Sequence, residues 1–114
     1  MSASETSSIE DRLAALEAER GVGAALARYG HSIDYGLAEQ WADCFTADGV
    51  FDIWVRALDG TWAPWARHEG RAQLTAFAAT HAHAPEHALK HLMVEPAITI
   101  DGARASAHSY FVRI

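Results

Sequence analysis

Three Asp-Gly dipeptides divide this 114-residue chain, and they constrain its fold more than any other feature of the sequence. They are Asp48-Gly49, Asp59-Gly60 and Asp101-Gly102. Asp-Gly favours tight turns, and Asp59-Gly60 predicts a two-residue hairpin turn. The runs that follow the first two dipeptides and flank the third are rich in strand-forming residues. Apolar residues recur at helical spacing before residue 45 and again over 70–82. The resulting order, ααββαββ, predicts an α+β fold with N-terminal helices and mostly antiparallel strands.

Local signals predict where each element begins and ends. Residues 1–7 are small and polar, which predicts a disordered leader, and residues 8–114 are predicted to form a single α+β domain. The capping-box spacing of Ser7 and Glu10 indicates the start of the first helix, which Gly21 and Gly23 are expected to kink or split. Further elements are predicted as helices over 38–45 and 70–82, and strands over 50–55, 61–68 (edge or bulged at Pro64), 89–100 (interrupted at Pro96) and 103–114.

Charge and composition exclude several kinds of partner. Nine Lys+Arg stand against 15 Asp+Glu, for a net charge of −6. The basic residues are scattered singly, so we expect no nucleic-acid partner. No apolar run approaches the ~18–20 residues that span a bilayer, so we expect no membrane partner. The N-terminus lacks the basic start of a signal peptide, and the single cysteine, Cys44, excludes an internal disulfide framework. Together these features predict a cytoplasmic protein.

Tyr29 and Asp34 are a first pair of candidate site residues. A tyrosine hydroxyl can donate a hydrogen bond to a substrate carbonyl, and a nearby carboxylate can remove or orient a proton. Five residues of a regular helix turn by ~140°, so the two side chains converge only if the helix ends or distorts between them. The alternative interpretation makes Tyr29 a core aromatic residue and Asp34 a helix-end or solvent residue.

Histidine is frequent, with seven residues in the chain, and it suits proton transfer near neutral pH. His91 and His108 lie in the two last predicted strands, where each could line a site or be a hydrogen-bonded core residue. Together with His91, the residues His81, His83 and His87 raise the possibility of a metal site. No carboxylate or cysteine stands at a recognisable ligand spacing, so we expect no metal and a solvated His-rich connection.

Aromatic residues suit either a pocket for a flat apolar ligand or an ordinary small core. Trp54 and Trp65 could instead face a subunit interface, and Cys44 is expected to be a buried structural thiol. The aromatic residues in question are Trp41, Phe45, Phe51, Trp54, Trp62, Trp65, Phe77, Tyr110 and Phe111.

Several short motifs match one known family in their order and spacing. They are Leu16-Glu17 ahead of Tyr29 and Asp34, Trp41-x-x-x-Phe45-x-x-Asp48-Gly49-x-Phe51, Gly70-Arg71, His91, Asp101-Gly102-x-x-Ala105 and Ser109-Tyr110-Phe111. In these features, over residues 9–114, the chain resembles the SnoaL-like domains of the nuclear transport factor 2-like superfamily. The resemblance implies a cone-shaped, strongly curved antiparallel sheet that encloses an apolar pocket, with the N-terminal helices packed on it.

The same resemblance implies a chemistry, because relatives include scytalone dehydratase, bile acid 7α-dehydratase, polyketide cyclases and ketosteroid isomerase. Tyr29, Asp34 and His91 match catalytic positions of the dehydratase-like members, and His108 matches a further polar pocket position. The implied activity is a cofactor-free lyase or isomerase that transfers a proton next to a carbonyl of a small cyclic or polycyclic apolar substrate, such as a steroid or polyketide. The pocket residues expected are Trp41, Phe45, Phe51, Trp54, Phe77, Met93 and Tyr110.

Two departures from the family leave alternatives open. The family usually continues with two further strands that this chain lacks. Either the sequence is truncated, or the barrel is open, or a partner supplies the sheet edge, and we expect a homodimer or higher homo-oligomer. The family also includes members without catalytic activity. The alternative function is therefore a noncatalytic ligand-binding or accessory structural subunit of the same fold, and a third possibility is a fragment with neither role.

Overall fold

The computed structural model describes residues 7–114, which form three helices followed and interleaved by four strands. The predicted α+β class, with N-terminal helices and antiparallel strands, is confirmed. The leader predicted for residues 1–7 falls almost wholly on residues 1–6, which lie outside the described part. In chain order the elements are α1 (Ile9–Asp34), α2 (Ala38–Ala42), β1 (Val50–Arg56), β2 (Trp62–Glu69), α3 (Gly70–Thr80), β3 (His91–Asp101) and β4 (Arg104–Arg113).

Helix α1 is continuous over its 26 residues. Its N-cap is Ser8, one residue later than predicted, and the Ser8 side chain accepts a hydrogen bond from the Asp11 backbone N–H at 3.0 Å. Gly21 and Gly23 lie within the helix and do not split it. A helix that contains two glycines can remain continuous because tertiary packing, more than intrinsic helix propensity, stabilises helices in proteins.

The end of α1 is fixed by a glycine in the left-handed conformation. Gly36 has a φ of +72°, and the Leu37 N–H bonds back to the Ser32 carbonyl at 2.9 Å. This 6→1 bond is the mark of a Schellman motif, in which glycine follows the C-cap. Asp34 is therefore the last helical residue, and its side chain leaves the helix where the chain turns.

The first hairpin joins β1 to β2 in antiparallel register. The register shifts between Ile53 and Trp54, whose partners are Ala66 and Pro64, so the predicted bulge at Pro64 is confirmed. The two-residue turn predicted at Asp59-Gly60 is wrong: the connection runs over residues 57–61, and the Ala57 N–H donates to the Thr61 carbonyl at 2.8 Å. The Asp59 carboxylate closes this longer loop by accepting from the Thr61 N–H and hydroxyl.

The second hairpin joins β3 to β4, and its turn follows Asp101 as predicted. Its register shifts between Val94 and Ala97. Glu95, in this bulge, has a φ of +50° and precedes Pro96. The interruption predicted at Pro96 is thus confirmed, because proline cannot donate to the ladder and is tolerated at bulges. Some predicted ends shift: α2 stops at Ala42, α3 stops at Thr80 and β3 starts at His91.

The hydrophobic core lies among the three helices. Helix α1 also contacts β3, and α3 contacts β1 and β2. Within residues 7–114 the two hairpins share no strand pairing. The sheet was predicted to lack the last two strands of the family, and its four strands form two separate antiparallel pairs. None of the helices described there is both long and apolar enough to cross a membrane. The buried core residues are Ile33, Trp41, Ala42, Leu74 and Ala78, with Tyr29, Phe45, Phe51 and Phe77 packed against them.

Candidate functional site

The end of α1 and the start of β3 meet through one carboxylate. Asp34 accepts hydrogen bonds from the backbone N–H of His91 at 3.1 and 3.0 Å, one to each carboxylate oxygen. A third contact joins its Oδ1 to Nδ1 of the His91 ring at 2.6 Å. The two side chains are only 6% and 10% exposed. The structure therefore places Asp34 and His91, 57 residues apart in sequence, in direct and nearly dry contact.

This contact fixes the tautomer of the neutral His91 ring. An ionised carboxylate can only accept hydrogen bonds, so Nδ1 of His91 carries the proton. The lone pair then lies on Nε2, the ring atom that can accept a proton from a ligand. If Nε2 does so, the imidazolium stays beside the Asp34 carboxylate, which stabilises the positive charge.

His91 lines a cavity of about 460 Å³ on one side of the molecule. This volume falls within the range of ligand pockets, which are typically concave and mostly apolar. Aromatic rings dominate the walls, and five of the lining side chains carry a titratable group. The lining residues are Tyr29, Phe51, Asp52, Ile53, Trp54, Trp65, Phe77, His81, His91, Phe111 and Arg113.

Tyr29 lies in the wall of this cavity and against the core. Its ring centroid is 5.9 Å from that of Trp41 and 6.2 Å from that of Phe51. Burial raises the pKa of the Tyr29 phenol to about 12, and the negative charges of Cys44 and Asp34, when ionised, act in the same direction. The hydroxyl therefore stays protonated near neutral pH and keeps its capacity to donate a hydrogen bond.

Tyr29 and Asp34 do not line the same cavity. Because α1 is regular up to its last residue, the two side chains leave the helix on different faces. Asp34 lines a second groove of about 500 Å³ between α1 and β3, together with Met93. His91 lines both spaces, so the imidazole connects the carboxylate on one side with the phenol-lined cavity on the other.

The other candidate residues lie in four places. Phe51, Trp54 and Phe77 line the cavity, whereas Trp41 and Phe45 belong to the core and its partly buried shell. Met93 lies in the α1–β3 groove and does not line the cavity. His108 and Tyr110 do not join the site either: they line a separate pocket beside the bulge of β3, with Glu95.

The strand register explains why His108 and Tyr110 lie elsewhere. His91 is paired with Arg113, so the residues of β4 that reach the cavity are Phe111 and Arg113. His108 is paired with Ala97, beyond the bulge. Counting back from the turn after Asp101 without a bulge would pair His91 with Ile114 and would place Phe111 and Arg113 on the other face of β4. The bulge between Val94 and Ala97 shifts the pairing by one residue and brings both side chains to the cavity. The sequence therefore assigned no role to Arg113 and named Phe111 only among the aromatic residues of a pocket or core.

His81 is a further cavity residue, which the sequence analysis weighed only as a metal ligand. Its ring centroid is 5.6 Å from that of His91. The neighbouring His83 lies elsewhere, against Gly36, where its ring would be 2.5 Å from an added Cβ. Within residues 7–114, no three His, Cys, Asp or Glu side chains come together in an arrangement that could hold a metal ion.

Comparisons with known proteins agree with this architecture. Two solved structures are similar to the chain: Rv3472, a function-unknown protein from Mycobacterium tuberculosis, and an NTF2-like protein with a cystatin-like fold from Novosphingobium aromaticivorans. The first is 28% identical, with a TM-score of 0.68, over 94% of this chain and 54% of that one. The second is 23% identical, with a TM-score of 0.72, over 93% of this chain and 66% of that one.

The chain thus spans between about half and two thirds of the length of these two proteins. No curated protein matches it significantly. The family model for the SnoaL-like domain matches residues 14–114, which is nearly all of the described part. Its fold is similar to that of an NTF2-like protein, and the chain belongs to the SnoaL-like domain family.

Proposed function

We propose that this protein is a cofactor-free lyase or isomerase that moves a proton next to a carbonyl group of a small cyclic apolar substrate. One observation carries the proposal: an imidazole held by a buried carboxylate at 2.6 Å lines an apolar cavity that also contains a protonated phenol. A base and a hydrogen-bond donor on one apolar cavity are the two groups that enolate chemistry requires.

The residues divide the work as follows. His91 Nε2 takes a proton from the carbon next to the carbonyl, and the C–H electron pair moves into the enolate. The Tyr29 O–H donates a hydrogen bond to the carbonyl oxygen as negative charge develops there. His91 then returns the proton to another carbon, which is isomerisation, or to a departing hydroxyl, which leaves as water. Asp34 does not line the cavity and acts as a positioning residue that stabilises the imidazolium.

The walls of the cavity indicate the substrate class. Phe51, Trp54, Trp65, Phe77 and Phe111 offer flat apolar surfaces, and aromatic rings stack well on other planar rings. A volume of about 460 Å³ can accommodate a ligand of several fused rings. These features support a cyclic or polycyclic substrate, consistent with a steroid or polyketide skeleton.

The test is α-proton exchange in a bicyclic ketone. With 1-tetralone in D₂O, we expect the wild-type protein to accelerate deuterium incorporation next to the carbonyl, measured by proton NMR. His91→Gln and Asp34→Asn should each slow the catalysed exchange at least ~10²-fold, because the base or its orientation is lost. The matched control is His87→Gln, an exposed histidine that does not line this cavity. Equal exchange by wild type and both variants, with the folds intact, would contradict the proposal.

A noncatalytic ligand-binding or accessory subunit is the second candidate function. It is favoured by the exposure of two cavity residues, Trp65 at 71% and Phe111 at 61%, since exposed aromatic residues are typical of binding surfaces. The same ketone separates the two functions. Saturable quenching of tryptophan fluorescence without accelerated exchange would support a binding role, whereas both together support catalysis.

A further inference from the structure

A second histidine lies beside the base in the same cavity. His81 is the C-cap residue of α3, and its ring centroid lies 5.6 Å from that of His91 and 5.9 Å from that of Phe77. Both imidazoles line the same cavity. At this separation the two rings can exchange a proton through one intervening water molecule or after a small side-chain rotation.

The His81 ring has the same tautomer as His91. Its Nδ1 lies 2.8 Å from the carbonyl oxygen of Ala82. A carbonyl oxygen can only accept, so Nδ1 of the neutral ring carries the proton and Nε2 holds the lone pair. Each ring therefore has one nitrogen committed to a protein acceptor, and Nε2 is the atom of each that can take up and release a proton.

The charges around the two rings favour a single proton shared between them. Burial lowers the pKa of His81, and the positive charges of protonated His91 and of Arg113 lower it further. The Ala82 carbonyl and the Asp34 carboxylate act in the opposite direction without reversing the shift. His81 is accordingly neutral near pH 7, able to accept a proton but not to retain it.

The two rings also differ in access to water. The His91 side chain is 10% exposed and held by Asp34, whereas His81 is half-buried. A buried base that has taken a proton needs a path by which the proton can reach solvent.

We propose that His81 is a proton relay that connects His91 with bulk water. The inference rests on the proposed function, because it assumes that His91 takes a proton from the substrate. His91 Nε2 gains that proton, passes it to His81 Nε2, and returns to its neutral form while its Nδ1–H stays on Asp34. His81 is briefly an imidazolium and then gives the proton to water. The reverse path, from water through His81 to His91 Nε2, supplies the proton that His91 returns to the substrate. No bond to carbon changes in this relay, and no oxidant or reductant takes part.

The first experiment measures deuterium incorporation into 1-tetralone in D₂O with dilute, non-basic buffer. Because His91 must discharge its proton to water before deuterium can enter, we expect His81→Ala to slow the catalysed exchange by ~10-fold or more. Added imidazole, a small base that can enter the space left by the ring, should restore the rate along a saturating curve. Wild-type protein and the control variant His87→Ala should be insensitive to imidazole.

The outcomes separate the relay from the proposed function. A wild-type exchange rate in His81→Ala, or a slowed rate that imidazole does not restore, overturns the relay while loss of exchange in His91→Gln still supports His91 as the base. If His91→Gln exchanges as fast as wild type, both inferences are overturned. Slow exchange in His81→Ala that imidazole restores supports the relay, because a merely structural role would not respond to an added base.

A second measurement needs no substrate. NMR titration of the histidine ring signals should give His81 a pKa below 6.5, the ordinary value for the group. In His91→Gln, which cannot become positively charged, the pKa of His81 should rise, because the repulsion that opposes its protonation is removed. An unchanged His81 titration in that variant would show that the rings are not coupled, and would overturn the relay.

Discussion

The Asp34 carboxylate joins the end of α1 to the start of β3 at the candidate site. Asp34 accepts two bonds from the main chain of His91 and one from its ring. Sequence spacing could not predict this contact, because the residues are 57 positions apart and the helical turn between Tyr29 and Asp34 argues against a shared face. Only the family resemblance brought the three residues together, and the geometry shows that Asp34 and Tyr29 approach His91 from different sides.

Removal of the Asp34 carboxylate should destabilise the protein as well as slow the proposed proton exchange. In Asp34→Ala, the His91 N–H groups are left buried without an acceptor, and we expect the free energy of unfolding to fall by about 3 kcal/mol. Asp34→Asn keeps one acceptor oxygen and should cost less. Urea denaturation followed by circular dichroism measures both values. Equal stability of wild type and Asp34→Ala would mean that these bonds contribute nothing net.

Tyr29 predicts a loss of stability at high pH. Its pKa is about 12 in the folded state against an ordinary value of 10.0, so the folded state binds the phenolic proton more tightly than the unfolded chain does. That stabilisation is fully present below pH 10 and is lost as the pH rises from about 10 to 12, by about 2–3 kcal/mol in all.

Tyr29→Phe has no phenol to ionise, so its unfolding free energy should decline less steeply over the same pH range. Urea midpoints for the two proteins at intervals between pH 9 and 11.5 give the difference, in which the titration of other groups cancels. Parallel curves for wild type and Tyr29→Phe would contradict the prediction.

At the scale of elements, the sequence predicted the kind and order of every helix and strand, because periodicity and turn residues are local signals. Its errors are also local in origin. The Asp59-Gly60 turn is wider than predicted because the Asp59 side chain bonds to Thr61 and closes a five-residue loop. The bulge at Pro96 shifts the register of β3 and β4, which determines the residues that face His91, and no local signal gives the size of such a shift.

Two glycines near and within α1 should respond oppositely to alanine. An added Cβ at Gly21 meets nothing within 4 Å, so Gly21→Ala should stabilise the helix by about 1 kcal/mol. Gly36 has a φ of +72°, and a Cβ there would lie 2.5 Å from the His83 ring. Gly36→Ala should therefore cost about 2 kcal/mol or more, from strain and displacement of that ring.

Thermal unfolding of the two variants checks this pair directly, since Gly21→Ala should raise the midpoint and Gly36→Ala should lower it. Shifts of the same sign would contradict the account of how α1 continues through one glycine and ends at the other.

The whole molecule is extended for its length. Its radius of gyration is 17.2 Å, and its principal extents are 55 × 36 × 28 Å, whereas an average compact chain of this length has a radius of gyration of roughly 13 Å. The two hairpins contact the helices but not each other's edges, and several large apolar side chains of β4 are exposed, among them Phe111, Val112 and Tyr110. Periodicity and turn residues cannot predict which strand edges stay uncovered, because they report only local conformation. The uncovered edge was expected from the family resemblance alone.

An exposed apolar strand predicts self-association. We expect the homo-oligomer inferred from the sequence, with a mass at least twice the 12.4 kDa of one chain, measured by size-exclusion chromatography with light scattering. Val112→Lys, which places a charge on exposed β4, should shift the population towards the monomer. A wild-type protein that remains at 12.4 kDa at all accessible concentrations would contradict the prediction.

The hydrogen bonds that orient the His91 ring also attach the second hairpin to the end of α1. The same few atoms of Asp34 and His91 therefore affect both the reactivity of the imidazole and the attachment of the hairpin. A change that loosens the ring to suit another ligand will free the hairpin as well, whereas a tightly fitting ligand should make the hairpin harder to detach. A substitution that changes the activity of this domain at His91 should therefore also change its stability.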